Sequence, residues 1–232
     1  MERADFLKIV SSRTPEIPKE RFILERCRSR TVLDLGCVDH TAETALSQGD
    51  DWLHKQICEV ASAVVGVDIA QDAAAQLNDA GFNIVATDVE KLNLGTTFEV
   101  IVAGDLIEHL SNIGSFMDAV SKHMTPESRF IITTPNPFNM EQFTQGVFRQ
   151  QTMVNDQHTV SIDPQAMFEI VRRSPFEITG FAWIDTRFHF RLKGGRLLRR
   201  IVNPVTALTM ARRPLVRRDY AIVLKLASAT RP

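Results

Sequence analysis

Cysteine is scarce in this sequence: Cys27, Cys37 and Cys58 are the three among 232 residues. An odd count without CxxC spacing excludes a disulfide framework and a zinc knuckle. Long apolar runs are missing too. Nothing approaches the roughly 18 consecutive apolar residues of a membrane-spanning helix. The amphipathic start, MERADFLKIVSSR, has no apolar core of signal-peptide length. Net charge is nearly absent, at −1 from 27 Lys/Arg and 28 Asp/Glu, so there is no global pull toward nucleic acid. These absences leave a cytoplasmic, reducing location as the expectation.

What is present is enough apolar material for one core. At 44% hydrophobic residues, a single α/β domain over 1–232 is ordinary. The charge is unevenly placed. Between Arg191 and Arg218 stand nine Lys/Arg and no acid, against 18 basic and 28 acidic residues elsewhere. Within that segment Leu197, Leu198, Ile201 and Val202 can form an apolar face rimmed by Arg196, Arg199 and Arg200. The pattern suits a peripheral membrane contact through 196–218, an anionic substrate or a partner, or else a solvated helix on the sheet edge.

The stretch around which the chain is organised is Thr31-Val-Leu-Asp-Leu-Gly-Cys37. An apolar run ending in glycine, with a helical pattern to follow, is how a parallel sheet presents a ligand at the end of its first strand. Glycine lets the backbone approach where a Cβ would clash. The next strand, Ala63-Val-Val-Gly-Val67, ends in Asp68, where an acid can accept hydrogen bonds from ribose hydroxyls. Phe82–Ala86 reads as a third strand and Phe98–Ala103 as a fourth, buried on both faces. Arg129–Thr134, Phe176–Ile184 and Tyr220–Leu226 complete seven.

These residues resemble the class I S-adenosylmethionine (SAM) methyltransferases. The resemblance continues through Ala86-Thr-Asp88, Phe98-Glu-Val-Ile-Val-Ala-Gly-Asp105 and Phe130-Ile-Ile-Thr-Thr-Pro-Asn136, and spans about 30–185. It implies a Rossmann-like α/β sheet of seven strands, mostly parallel with the last antiparallel, flanked by helices. It also implies SAM at Asp34, Gly36, Cys37, Asp68, Ile69, Asp88, Val89 and Gly104, with Asp68 on the ribose and Asp88 on the adenine amino group. One departure is plain: the family usually carries a second and often a third glycine in the first loop, and here that loop reads Gly36-Cys-Val-Asp-His40.

Around this frame, 1–28 reads as an N-terminal helical cap broken by Pro15 and Pro18. It either covers the cofactor or simply packs. The long first connection is expected to hold a turn at Thr41–Leu46 and a helix at Trp52–Val60. Its histidines, His40 and His54, read as surface or capping residues. Ser115-Phe-Met-Asp118 looks like a capping box for a helix running to about Met124. Residues 137–160 form a substrate-side loop. Asp163-Pro164 reads as a helix start, and 190–218 is the basic insertion.

Asp105-Leu-Ile-Glu108-His109 follows the fourth strand. On one helical turn, positions i, i+3 and i+4 share a face, so Asp105, Glu108 and His109 can converge as catalytic or metal groups. The element resembles an acid-x-x-Glu-His motif of some metal-dependent members, where a further histidine, here His158, completes the shell. That implies Mg²⁺ or Mn²⁺ on Asp105, Glu108, His109 and His158, with Zn²⁺ admitted by imidazole. Without a metal, His109 or His158 is the candidate base. The leading expectation is a SAM-dependent O-methyltransferase acting on a sugar, glycan or small-metabolite hydroxyl. The long first connection resembles bacterial enzymes of polysaccharide and secondary-metabolite pathways. The alternatives are a quinone or phenolic-lipid O-methyltransferase at a membrane surface, a methyltransferase of RNA 2′-hydroxyls (disfavoured by the acidity outside one segment), and a catalytically silent SAM-fold binding module.

Overall fold

The computed structural model describes residues 1–38, 41–140, 142, 143, 146, 155–185 and 212–228. In chain order the elements are α1 (Arg3–Val10), β1 (Ile17–Pro18), α2 (Lys19–Cys27), β2 (Thr31–Leu35), α3 (Ala42–Ser47), α4 (Leu53–Val60), β3 (Ala63–Asp68), α5 (Gln71–Asp79), β4 (Ile84–Ala86), β5 (Phe98–Gly104), α6 (Ile113–Ser121), β6 (Met124–Pro135), α7 (Pro164–Arg172), β7 (Phe176–Asp185) and β8 (Asp219–Leu226). They build one sheet in the order β1-β7-β8-β6-β5-β2-β3-β4. Strand β8 runs antiparallel to both β6 and β7, and the other pairings are parallel. The order reverses at β2, between β3 and β5, which opens a crevice at the carboxyl ends of these strands.

The sheet has eight strands, one more than the sequence suggests. The addition is β1, whose Ile17 and Pro18 lie beside Ile184 and Asp185 of β7. Proline cannot donate to a ladder, so it is confined to an edge, and in sequence it reads only as a break. Strand β6 begins at Met124, which pairs with Phe98, so the preceding helix stops at Ser121. That helix is capped by Asn112, whose Oδ1 accepts from the Ser115 N–H, rather than by Ser115 itself. Asp163 does cap α7, accepting from Gln165 and Ala166, with Pro164 in the first turn.

Period-2 alternation divides the core. Ile101 and Ala103 of β5 join α1, α6 and α7 on one face through Phe6, Phe116, Val120, Met167 and Val171. Val100 and Val102 turn to the other face, against Phe22, Ile23 and Ile57 of α2 and α4. Each such fully buried side chain contributes about 1.5–3 kcal/mol of transfer free energy. Both faces of the central strands are therefore closed, and ligand access is left at the strand ends.

Candidate functional site

The first turn after β2 forms a cradle. Gly36 has φ +69°, a left-handed conformation that favours glycine. Its N–H donates to the Val67 carbonyl at 2.8 Å. A Cβ here would meet Leu106 Cδ1 at 2.8 Å. Past Gly36 the loop is held by partners in place of further glycines. Trp52 Nε1 donates to the Cys37 carbonyl at 2.9 Å, and the Val38 N–H donates to Asp68 Oδ2 at 2.9 Å. Asp68 Oδ1 accepts from Ala70 N–H at 3.0 Å. A carboxylate has about four lone-pair sites, so Asp68 retains acceptor capacity for a ligand.

A cleft of about 680 Å³ opens over this turn. Asp34, Gly36, Cys37, Asp68, Ile69 and Gly104 line it, six of the eight residues expected at the cofactor. Ile69 is 76% exposed at the end of β3, an apolar surface free to pack against a planar ring. Asp88 and Val89 are elsewhere. Asp88 caps a short 3₁₀ turn through the Glu90 N–H, and Val89 is buried in the core. Asp39 and His40 lie outside the described residues.

Two polar pairs under the cleft, one buried and one half-buried, carry no sequence signal. His54 is buried, not at the surface as its loop context suggested, and its Nδ1 lies 2.8 Å from Asp34 Oδ2. Burial by itself would lower the imidazole pKa. The Asp34 hydrogen bond, the Cys58 thiol one turn on and the Asp34 charge outweigh this and push it up to about 9. The second pair is Lys19 Nζ and Asp105 Oδ2, at 2.5 Å. Thr133 Oγ1 donates to Asp105 Oδ1 at 2.8 Å. Against the opposing effect of burial, Lys19 and Thr133 hold the Asp105 carboxyl below its ordinary pKa, and Asp105 raises that of Lys19.

Asp105 therefore does not converge with Glu108 and His109 on one helical turn. Its φ is +51°, so the helical hand is broken at that residue. Only Ile107–His109 coil, as a 3₁₀ turn. The Asp105 side chain goes to Lys19 instead. Glu108, His109 and His158 do come together, each offering a ligand atom within 4.8 Å of the others. The segment carrying His158 is strapped to that turn. Thr159 and Val160 N–H both donate to the Glu108 carbonyl, and Thr159 Oγ1 donates to the carbonyls of Glu108 and Leu110. The His109 and His158 rings meet edge to face at 4.7 Å.

Glu108 is 2% exposed. Its Oε2 accepts from Thr134 Oγ1 at 2.9 Å, while Oε1 is buried with no hydrogen-bond partner among the described residues. Burial first and the Asp105 charge second push its pKa up to about 8. The His158 pKa is lowered, by burial and by His109 beside it. A cavity of about 10 Å³, bounded by Glu108, Pro135, Pro137, Gln142 and His158, has room for roughly one water-sized ligand. His109 also lines the large cleft, so the cluster of Glu108, His109 and His158 borders that cleft.

Residues 12–179 match the model of a methyltransferase domain family. A Mycolicibacterium smegmatis protein named "Probable S-adenosylmethionine-dependent methyltransferase" is 24% identical over 180 residues, 71% of this chain and 62% of that one. A ubiquinone biosynthesis O-methyltransferase of Bartonella tribocorum is 29% identical over 112 residues, 45% of this chain and 41% of that one. The match thus spans less than two thirds of either relative's length. Among solved structures, a SAM-dependent methyltransferase from Clostridium acetobutylicum superposes with TM-score 0.55 at 12% identity, covering 90% of this chain and 91% of that one. The CcbJ methyltransferase of Streptomyces caelestis gives TM-score 0.57 at 14% identity, covering 94% and 93%. Both share the fold.

Proposed function

The chain belongs to the methyltransferase domain family, and from that premise we propose that it transfers the methyl group of SAM to a hydroxyl of a sugar, glycan or small metabolite. The observation that carries this reading is the position of His109. It lines the cofactor cleft and also stands within the Glu108–His158 cluster. A hydroxyl held there lies at the boundary between donor and base. Gly36 and Asp68 fit the methionine end and the ribose of SAM, because Gly36 lines the cleft without a side chain and Asp68 keeps free acceptor sites.

In the transfer, the acceptor oxygen forms a bond to the methyl carbon and the carbon–sulfur bond breaks. The electron pair returns to sulfur, leaving S-adenosylhomocysteine. The hydroxyl proton must go to a base. His158, with its lowered pKa, is neutral near pH 7 and suited to take it. His109 orients the acceptor from the cleft wall, and Thr134 fixes Glu108 behind it.

Glu108, His109 and His158 also fit a divalent cation, since the buried Glu108 Oε1 lacks a partner and adjoins a space of one-water size. One carboxylate and two imidazoles suit Mn²⁺ or Zn²⁺ better than Mg²⁺. Such an ion would lower the hydroxyl's pKa when bound. The test is calorimetric SAM binding followed by labelled methyl transfer to a hydroxyl panel, with and without chelator. SAM binding and transfer are expected. A metal-assisted route loses turnover in chelator and keeps SAM affinity, whereas unchanged turnover leaves the histidine base alone. Absence of SAM binding would overturn the reading, and binding without transfer to any acceptor would favour the silent binding module.

A second reading is methylation of a quinone or phenolic lipid. It is favoured by the likeness to ubiquinone biosynthesis O-methyltransferases and by apolar side chains near the strand ends. Phe138 and Phe143 are 66% and 65% exposed, and Leu215, whose carbonyl accepts from Asn136 Nδ2, is 49% exposed. No helix among the described residues is long and apolar enough to cross a membrane. Arg196, Arg199 and Arg200 lie outside the described residues. Preference for a long-chain phenol over sugars in the same panel would support this second reading.

A further inference from the structure

The loop after β2 has lost the later glycines of its family and keeps its shape through the connection between β2 and β3. Trp52 and His54 are two residues apart at the start of α4, and both reach the loop from below. Trp52 holds the Cys37 carbonyl, and His54 holds Asp34, two residues before Gly36. Their rings are packed together with Phe82, at centroid distances of 5.2 Å for Trp52–His54, 4.8 Å for Trp52–Phe82 and 5.8 Å for His54–Phe82. The imidazole therefore has little freedom to rotate.

Gly66 in β3 shows that this space is kept open for the ring. A Cβ there would meet His54 Cε1 at 2.8 Å and Cys37 Sγ at 2.7 Å. Neither the enclosed imidazole nor the buried thiol can easily give way. Asp34 is 3% exposed, yet it lines the cleft beside Gly36 and Gly104. Its bond to His54 uses Oδ2, which leaves Oδ1 for a ligand. A carboxylate this enclosed is costly without a donor to satisfy it.

We propose that His54 is a positioning residue that holds Asp34 as a fixed anion for the cationic α-ammonium of the cofactor's methionine end. This rests on the SAM reading above, which already puts Asp34 at the donor, and deepens it by naming the residue that fixes that carboxylate. The cradle at Gly36 accepts the backbone-like end of that portion, and Asp34 supplies the opposite charge at its base. A charge-assisted hydrogen bond of this kind is sensitive to sub-ångström displacement, so a donor that locks Asp34 in one orientation acts on affinity through it.

The experiment compares two ligands. SAM carries the α-ammonium, whereas 5′-methylthioadenosine has the same nucleoside and no amino-acid portion. Calorimetry on the full chain would be run with the wild type, His54→Ala, His54→Asn and Asp34→Asn. Asparagine places an amide N–H close to the position of Nδ1–H and should restore the hold on Asp34. His54→Ala and Asp34→Asn should weaken SAM by about tenfold, the factor for one such bond, while methylthioadenosine affinity stays within about twofold. His54→Asn should recover most of the SAM affinity. A structural role alone would lower both ligands in parallel, and that result would overturn the proposal, as would unchanged SAM affinity in every variant. If His54→Ala does not fold, the ratio of the two ligands in Asp34→Asn and His54→Asn decides. A wild type that binds neither nucleoside would instead overturn the methyltransferase reading itself.

Discussion

Asp68 accepts two backbone N–H groups and still has acceptor sites toward the cleft, so its loss should be felt mainly in cofactor affinity. Asp68→Ala should weaken SAM binding by about 1.5–3 kcal/mol, the loss expected for charged hydrogen bonds. Calorimetry on the folded variant checks this, and unchanged affinity would remove Asp68 from the site. Gly36→Ala should be harmful for a different reason. Alanine at φ +69° costs about 1–2 kcal/mol, and its methyl would also displace Leu106. The expected signature is a lower Tm together with weaker SAM binding. Both positions were legible in the sequence, because each stands at the end of a strand. Lys19 and Thr133, which take Asp105 away from Glu108, were not. Lys19 is 86 residues from its partner, and no local pattern links the two.

Helix ends show how far local chemistry reaches. Asp163 accepts from two N–H groups of α7, as its Asp-Pro sequence suggests. Asp163→Ala should therefore lower unfolding free energy by about 1 kcal/mol with an unchanged denaturant slope, measured by urea titration. A loss below about 0.3 kcal/mol would show that packing of Met167, Phe168 and Val171, rather than the cap, sets the stability of this helix. At α6 the same reasoning chose Ser115, one turn too late, because Asn112 and Ser115 are both good caps in sequence. The choice between them was made by Glu90, whose Oε1 accepts from Ser111 and Asn112 N–H and holds the chain entering the helix. Glu90 lies about 20 residues upstream, beyond any window of helical periodicity.

Across the whole molecule, the Asp34–His54 pair ties the α4 connection to the central strand and makes stability depend on pH. The folded His54 pKa of about 9 lies above its ordinary 6.5, so the folded state binds the proton more tightly. The resulting contribution is fully present below pH 6.5 and lost as pH rises through about 9. It is on the order of 3 kcal/mol. Thermal melts from pH 6 to 10 should show the advantage of the wild type over His54→Asn shrinking across that window, and a constant difference would mean that His54 does not titrate there. The sequence by itself determined the α/β class, seven of the eight strands, the cradle at Gly36 and the acid at Asp68, because strand alternation, glycine turns and strand-end acids are written within a few residues of one another. Tertiary structure alone decided that β1 joins the sheet edge, that Lys19 claims Asp105, that His54 is buried against Asp34, and that His158 is strapped beside Glu108 and His109. Each of these depends on contacts between segments far apart in sequence, which no local pattern records.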